Sequence, residues 1–114
     1  MDPFQVATVE AEGLPYLSAK GYYDKEAGKK VIDEAVILLR KGQVKIVLDI
    51  SGCKVVNSLG VASMVDLAIK VTDDFQGKLI LLGVDPLKMK VFKVVGILPM
   101  VIVAENLAEA VQKA

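Results

Sequence analysis

Short apolar runs and longer amphipathic stretches take turns along this chain, and that alternation predicts its elements. Gln5–Glu12 mixes apolar and acidic residues and predicts an outer strand, and Gly13-Leu14-Pro15 turns it into a second strand, Tyr16–Lys20. Asp24 then suits a helix N-cap. Ala27, Val31, Ala35 and Leu38 follow at helical spacing, and Gly42 closes that helix just past Arg40 and Lys41. Lys45–Ile50 is a short apolar strand of the kind buried on both faces.

A turn through Ser51-Gly52-Cys53 leads past Asn57-Ser58 into a helix predicted from Leu59, with Val61, Met64, Val65, Ala68 and Val71 inward and Gly77 as its end. Lys78–Leu82 is the next strand. Asp85-Pro86 starts a third helix, with Asp as cap and Pro in the first turn. Leu87, Val91 and Val94 or Val95 form its predicted inward stripe, and Gly96 stops it. Met100–Val103 is a last strand, and Ala104–Ala114 a terminal helix with Leu107, Ala110 and Val111 inward.

The order β-β-α-β-α-β-α-β-α predicts an α/β fold: a mixed, mostly parallel sheet with crossover helices and an antiparallel edge strand. Residues 1–114 are expected to form one domain, since 114 residues is one domain's worth. In such sheets, sites favour the loops at the carboxyl ends of the strands, where Asn57-Ser58 lies.

Composition narrows the chemistry. Fourteen basic residues balance 14 acidic ones, so there is no electrostatic reason to expect nucleic acid or an anionic membrane as partner. There is no histidine and one cysteine, Cys53, which removes Ser–His and Cys–His catalysis and any zinc site built from several such ligands. No carboxylate pair is placed for acid–base work, so neither an enzyme nor a cofactor is expected. A lone cysteine suits a reducing cytosol, and Cys53 reads as an ordinary small residue. Met1-Asp2-Pro3-Phe4 has neither the basic stretch nor the apolar run of a secretion signal, and the apolar runs are strand-length. A soluble, cytoplasmic protein without membrane insertion is the expectation.

Ser58 carries two compatible readings. It suits an N-cap, its hydroxyl bonding a backbone N–H one turn in, and it suits a phosphate acceptor, because a helix N-terminus favours an anion. On the outer face of the same helix, Leu59, Ala62, Ser63, Asp66 and Lys70 cluster opposite the inward stripe. That face is either a docking patch or an ordinary solvated surface. Lys88, Lys90 and Lys93 do not gather at one angle, and a solvated face is expected of them.

These residues also carry a family resemblance. Ile46–Ser51 followed by Asn57-Ser58-Leu59-Gly60-Val61 resembles the central signature of STAS domains, a strand ending Asp-Leu-Ser and then Asp-Ser-Ser-Gly or Asp-Ser-Thr-Gly at a helix start. Gly21 and Asp24 fit the family's Gly-x-x-Asp, and Lys78–Gly83 its fourth strand. Val95–Leu98 resembles the Thr-Gly-Leu that ends its third helix, and Asn106–Ala110 its close. For the bacterial anti-sigma factor antagonists, the resemblance implies a protein that binds an anti-sigma factor or related serine kinase. Phosphorylation of the serine matching Ser58 breaks that complex, and a phosphatase resets it. Taken with the outer face of that helix, the residues expected at a partner are Asp24, Asn57, Ser58, Leu59, Gly60, Ala62, Ser63 and Asp66. Asn57 replaces the usual aspartate and Leu59 the second hydroxyl residue, which leaves a second reading open: a non-phosphorylated STAS adaptor in a signalling or transporter-linked complex. A small nucleotide- or lipid-binding protein lacks a phosphate-loop motif here. A receiver domain is excluded because the acidic pair and the lysine its metal site needs are missing.

Overall fold

A computed structural model describes residues 3–114; Met1 and Asp2, which open the segment read above for a secretion signal, lie outside the described residues. Strands β1 (Gln5–Ala11) and β2 (Leu14–Lys20) form an antiparallel hairpin, with Ala11 paired to Leu14. The turn is therefore only Glu12-Gly13, both at positive φ (54° and 79°), which matches the twist of the flanking strands. Leu14 and Pro15, expected in the turn, belong to β2. Pro15 is tolerated because pairing with the next strand starts one residue later, at Tyr16.

Helix α1 (Lys25–Arg40), strand β3 (Lys45–Gly52) and helix α2 (Ser58–Ile69) follow. After α2 the chain widens into a π turn, Lys70–Asp74, where the Thr72 hydroxyl donates back to the Ala68 carbonyl at 2.7 Å. The regular α-helix thus ends at Ile69, the winding runs on to Asp74, and Gly77 N–H closes it on the Val71 carbonyl at 2.7 Å. Strand β4 (Lys78–Leu82), helix α3 (Pro86–Val95), a 3-10 turn (Leu98–Met100), strand β5 (Ile102–Ala104) and helix α4 (Leu107–Lys113) complete the fold. The 3-10 turn takes up Met100, which moves the last strand later than its apolar run suggests.

The sheet order is β1-β2-β3-β4-β5, parallel from β2 onward, as the alternation of elements predicts. Ile46, Leu48 and Ile50 of β3, with Leu79 and Leu81 of β4, join the core under α1 and α2. Val47, Ile80 and Leu82 face the other way, toward Ala110 of α4. Val111, expected inward, is exposed, because α4 is only two turns long and rests on the sheet through Ala110. No helix among the described residues is long and apolar enough to cross a membrane.

Candidate functional site

The loops leaving β2 and β3 are sewn together. Gly21 N–H donates to the Gly52 carbonyl at 3.1 Å, Tyr23 N–H to Val55 at 3.0 Å, and Asn57 N–H to Tyr23 at 3.1 Å. These bonds extend the parallel pairing past the strand ends and set the starts of α1 and α2 side by side. The Tyr23 ring is fully buried and meets Phe4 edge-on at 5.5 Å. Asp24 caps α1 through a 2.9 Å bond from Ala27 N–H, as its position predicts.

Asn57, not Ser58, caps α2. Its side-chain oxygen accepts from Gly60 N–H at 2.8 Å, so Ser58 is the first helical residue and its side chain is exposed. The physical reason is that the Tyr23–Asn57 bond holds Asn57 in the extended conformation a cap requires, with ψ at 176°. Asn57→Ala is therefore expected to cost about 1 kcal/mol, read as a lower urea midpoint at unchanged slope. Asn57→Asp keeps the bond and gains about 0.5 kcal/mol from the helix dipole. Equal midpoints for all three proteins would contradict the assignment of the cap.

The other predicted partner residues divide. Leu59 is 57% exposed, and Ala62 and Asp66 are exposed beside Ser58. Gly60 is buried against Tyr23, where a Cβ would overlap the Tyr23 carbonyl oxygen, so it lets α2 pack closely on Tyr23. Ser63 does not lie on the outer face. It packs on Gly28 of α1, whose missing Cβ leaves room for the Ser63 side chain. The helices cross closely there, which a helical wheel of α2 alone does not show.

Helix α3 departs further from expectation. Its buried residues are Lys88 and Phe92, while Leu87 is 73% exposed, Val94 86%, and Val91 and Val95 about half that. The helix is rotated so that only one margin of its apolar arc meets the core. Lys88, expected on a solvated face, lays its stem inward and pairs with Asp85 at 2.7 Å. Val91 and Val95 form one wall of a groove of about 600 Å³ whose other wall is Ser58, Ala62 and Asp66 of α2. Leu87 and Val55 carry its apolar lining onward toward Lys54. Cys53, beneath this region, is fully buried; burial pushes its thiol up to about 11 against the opposing pull of the Lys88 ammonium, so it is unreactive at neutral pH.

A pair that sequence reading missed lies at the end of β3. The Tyr16 hydroxyl donates to Asp49, whose other carboxylate oxygen accepts from Ser51 N–H at 2.9 Å. There the β2–β3 register slips by one residue, a bulge that redirects the chain toward the site loop. Partial burial pushes the Asp49 carboxyl up, but the bonds from Tyr16 and Ser51 outweigh it and hold it below its ordinary value. Burial, then the bond to Asp49, pushes the Tyr16 hydroxyl up to about 12.

The signs follow from proton linkage. Asp49, depressed in the fold, contributes stability that is present above the ordinary carboxylate pKa and lost as pH falls through its folded value. Tyr16, raised in the fold, contributes stability that is present below its ordinary pKa of 10.0 and lost as pH rises toward about 12. Tyr16→Phe is expected to return the Asp49 carboxyl toward its ordinary value in an NMR titration and to flatten both limbs of stability against pH. An unmoved Asp49 titration would show that the pair is not coupled.

No protein-family model matches the chain, and no curated protein sequence matches it. Solved structures do. An anti-sigma factor antagonist from Mycobacterium paratuberculosis superposes with a TM-score of 0.80 at 14% identity, over 97% of this chain and 93% of its own. RsbS of Moorella thermoacetica, in a serine-to-glutamate variant, gives 0.79 at 16%, over 96% and 93%. The Bacillus cell fate determinant SpoIIAA in its phosphorylated form gives 0.64 at 21%, over 97% and 98%. The likeness runs the full length of both partners and is one of architecture, since fewer than a quarter of residues are shared. The chain has the SpoIIAA-like STAS fold, the fold of the anti-sigma factor antagonists.

Proposed function

We propose that this chain is a regulatory protein-binding module of the anti-sigma-factor-antagonist kind. It binds an anti-sigma factor or related serine kinase in the cytoplasm through the start of α2, and phosphorylation of Ser58 releases it. The observation that carries this reading is the position of Ser58: first residue of α2, exposed, with the cap already supplied by Asn57. Its hydroxyl is thus not committed to the helix, and a phosphate on it would sit at the positive end of the helix dipole. The exposed Leu59 and Ala62 beside it suit a partner surface that a phosphate would disrupt by desolvation. Such a role is binding, not catalysis.

Phosphopeptide mapping of the protein isolated from its own cells, with Ser58→Ala as control, tests the switch. Phosphate on Ser58 that is absent from the control is the expected result. An unmodified Ser58 across growth and stress conditions would overturn the switch and favour a constitutive adaptor. The uncharged Asn57 and apolar Leu59 flanking Ser58 already suit that second reading.

A further inference from the structure

The two edges of the sheet differ. At one, β5 has only three residues, and its Val103 carbonyl accepts from the Lys113 amine at 3.1 Å. At the other, β1 runs for seven residues with no proline, lysine or bulge, and Glu10 is its only charge. The two-residue turn makes Ala11 and Leu14 a hydrogen-bonded pair, so Gln5, Ala7, Val9 and Ala11 direct their main-chain groups at β2. Those of Val6, Thr8 and Glu10 point outward along a bare edge.

The flank of α1 beside this edge carries a matching pattern. Asp33, Glu34, Ile37, Arg40 and Lys41 follow at helical spacing on the side opposite Gly28, which meets Ser63 of α2. Ile37, 51% exposed, is the centre; the acidic pair lies one turn before it and the basic pair one turn after. Among the described residues these four charges form no ion pair. Grooves of about 750 and 510 Å³ run between the helix and β1. Ile37 lines the first with Phe4 to Ala7, and Leu38 the second with Thr8 to Glu10. The middle of the α1 flank therefore stands level with Thr8, the middle of β1.

We infer that two copies of this chain meet at this edge, β1 antiparallel to β1 about a two-fold axis through Thr8. The register is self-complementary. Thr8 pairs with Thr8 of the partner copy and Val6 with Glu10 of the partner copy, so the outward main-chain groups of the strand are all used. The two Glu10 side chains stand at opposite ends of the pairing. The axis is perpendicular to the sheet, so both α1 helices lie on the same face and run antiparallel. Ile37 then meets Ile37 of the partner copy, and the acidic pair of each copy meets the basic pair of the other. Lys30, a turn beyond the acidic pair, falls past the end of the partner copy's helix. A foreign strand could use the bare main chain, but only a second copy brings its own α1 to match this flank. Ser58 and α2 lie across α1 from the axis, so the inference stands apart from the switch.

Sedimentation equilibrium of the full chain over a concentration series tests this. A monomer–dimer equilibrium is expected, with the amides of Val6, Thr8 and Glu10 exchanging more slowly as concentration rises. Thr8→Pro removes the central outward N–H and no bond to β2. It is expected to keep the fold, read by circular dichroism, and to weaken the dimer about tenfold. Should proline disturb the hairpin, α1 supplies a second test. Arg40→Glu alone is expected to weaken the dimer about tenfold, and adding Asp33→Lys to restore it to within about threefold, because the swap puts opposite charges back across the axis. A chain that stays monomeric throughout, a dimer that folded Thr8→Pro or Arg40→Glu leaves intact, or protection confined to another face would each overturn the inference.

Discussion

Gly60→Ala is expected to lower stability by about 3 kcal/mol and the thermal midpoint by about 12 °C. A Cβ at this position would overlap the Tyr23 carbonyl oxygen and come within 2.9 Å of its carbon and 3.0 Å of the ring. Tyr23 cannot retreat, since its ring is buried and its backbone is bonded to Val55 and Asn57. Either α2 moves outward or the Asn57–Tyr23 bond breaks, at a cost of about 4 kcal/mol for overlap and lost bonding together. Alanine's better helix propensity offsets only about 1 kcal/mol of that. A thermal melt followed by circular dichroism gives the midpoint, and amide spectra should show the disturbance centred on the Tyr23–Asn57 seam. A midpoint within a few degrees of the parent would mean that the two loops are not held as tightly as described. In that case the placement of Ser58 would lose its support.

Phe92→Ala is expected to cost about 4 kcal/mol, within the range for emptying the site of a buried phenylalanine. Phe92 is the one apolar side chain that α3 buries; Lys88, its other buried residue, adds a stem and an ion pair to Asp85. Losing Phe92 therefore removes most of what holds α3 to the core. Hydrogen exchange across Lys88–Val95 should quicken more than the global change requires, because α3 can then open by itself. Val94→Ala is the matched control. With Val94 86% exposed, its truncation is expected to stay within about 0.5 kcal/mol of the parent. Similar losses for the two variants in urea unfolding would restore the stripe that helical spacing alone suggests. A large loss for Phe92→Ala beside a neutral Val94→Ala would support the rotation of α3 that opens the groove.

Helix α3 shows where local reading stops. Asp85 as cap, Pro86 in the first turn and Gly96 at a φ of 79° as the stop were all legible, because each depends on bonds or sterics within a few residues. Which margin of its apolar arc would be buried was not legible. The arc from Val94 to Phe92 is wider than the strip of core it can meet, and spacing alone cannot choose within it. Lys88 misled for the same reason: a lysine stem buries as readily as an aliphatic side chain when its amine finds a partner at the surface.

The site repeats the lesson at smaller scale. A capping residue was expected at the head of α2, yet Asn57 and Ser58 are both good caps, and their order was settled by a bond to Tyr23, on another loop. Ser63 was placed outward by the wheel of its own helix and turned toward α1 by Gly28, 35 positions earlier in the chain. The Tyr16–Asp49 pair spans 33 positions, and no local pattern announces it.

By itself, then, the amino-acid sequence determined the order of elements, the parallel sheet with its antiparallel edge, most helix ends and the position of the serine loop. Those follow from hydrophobic period, capping and turn sterics, which act over a few residues. Only the tertiary structure decided which hydroxyl is uncommitted and which face of α3 is bare. Those depend on how strands and helices of distant sequence are set against one another, and strand register, close approach at glycine and a single loop-to-loop seam govern that arrangement.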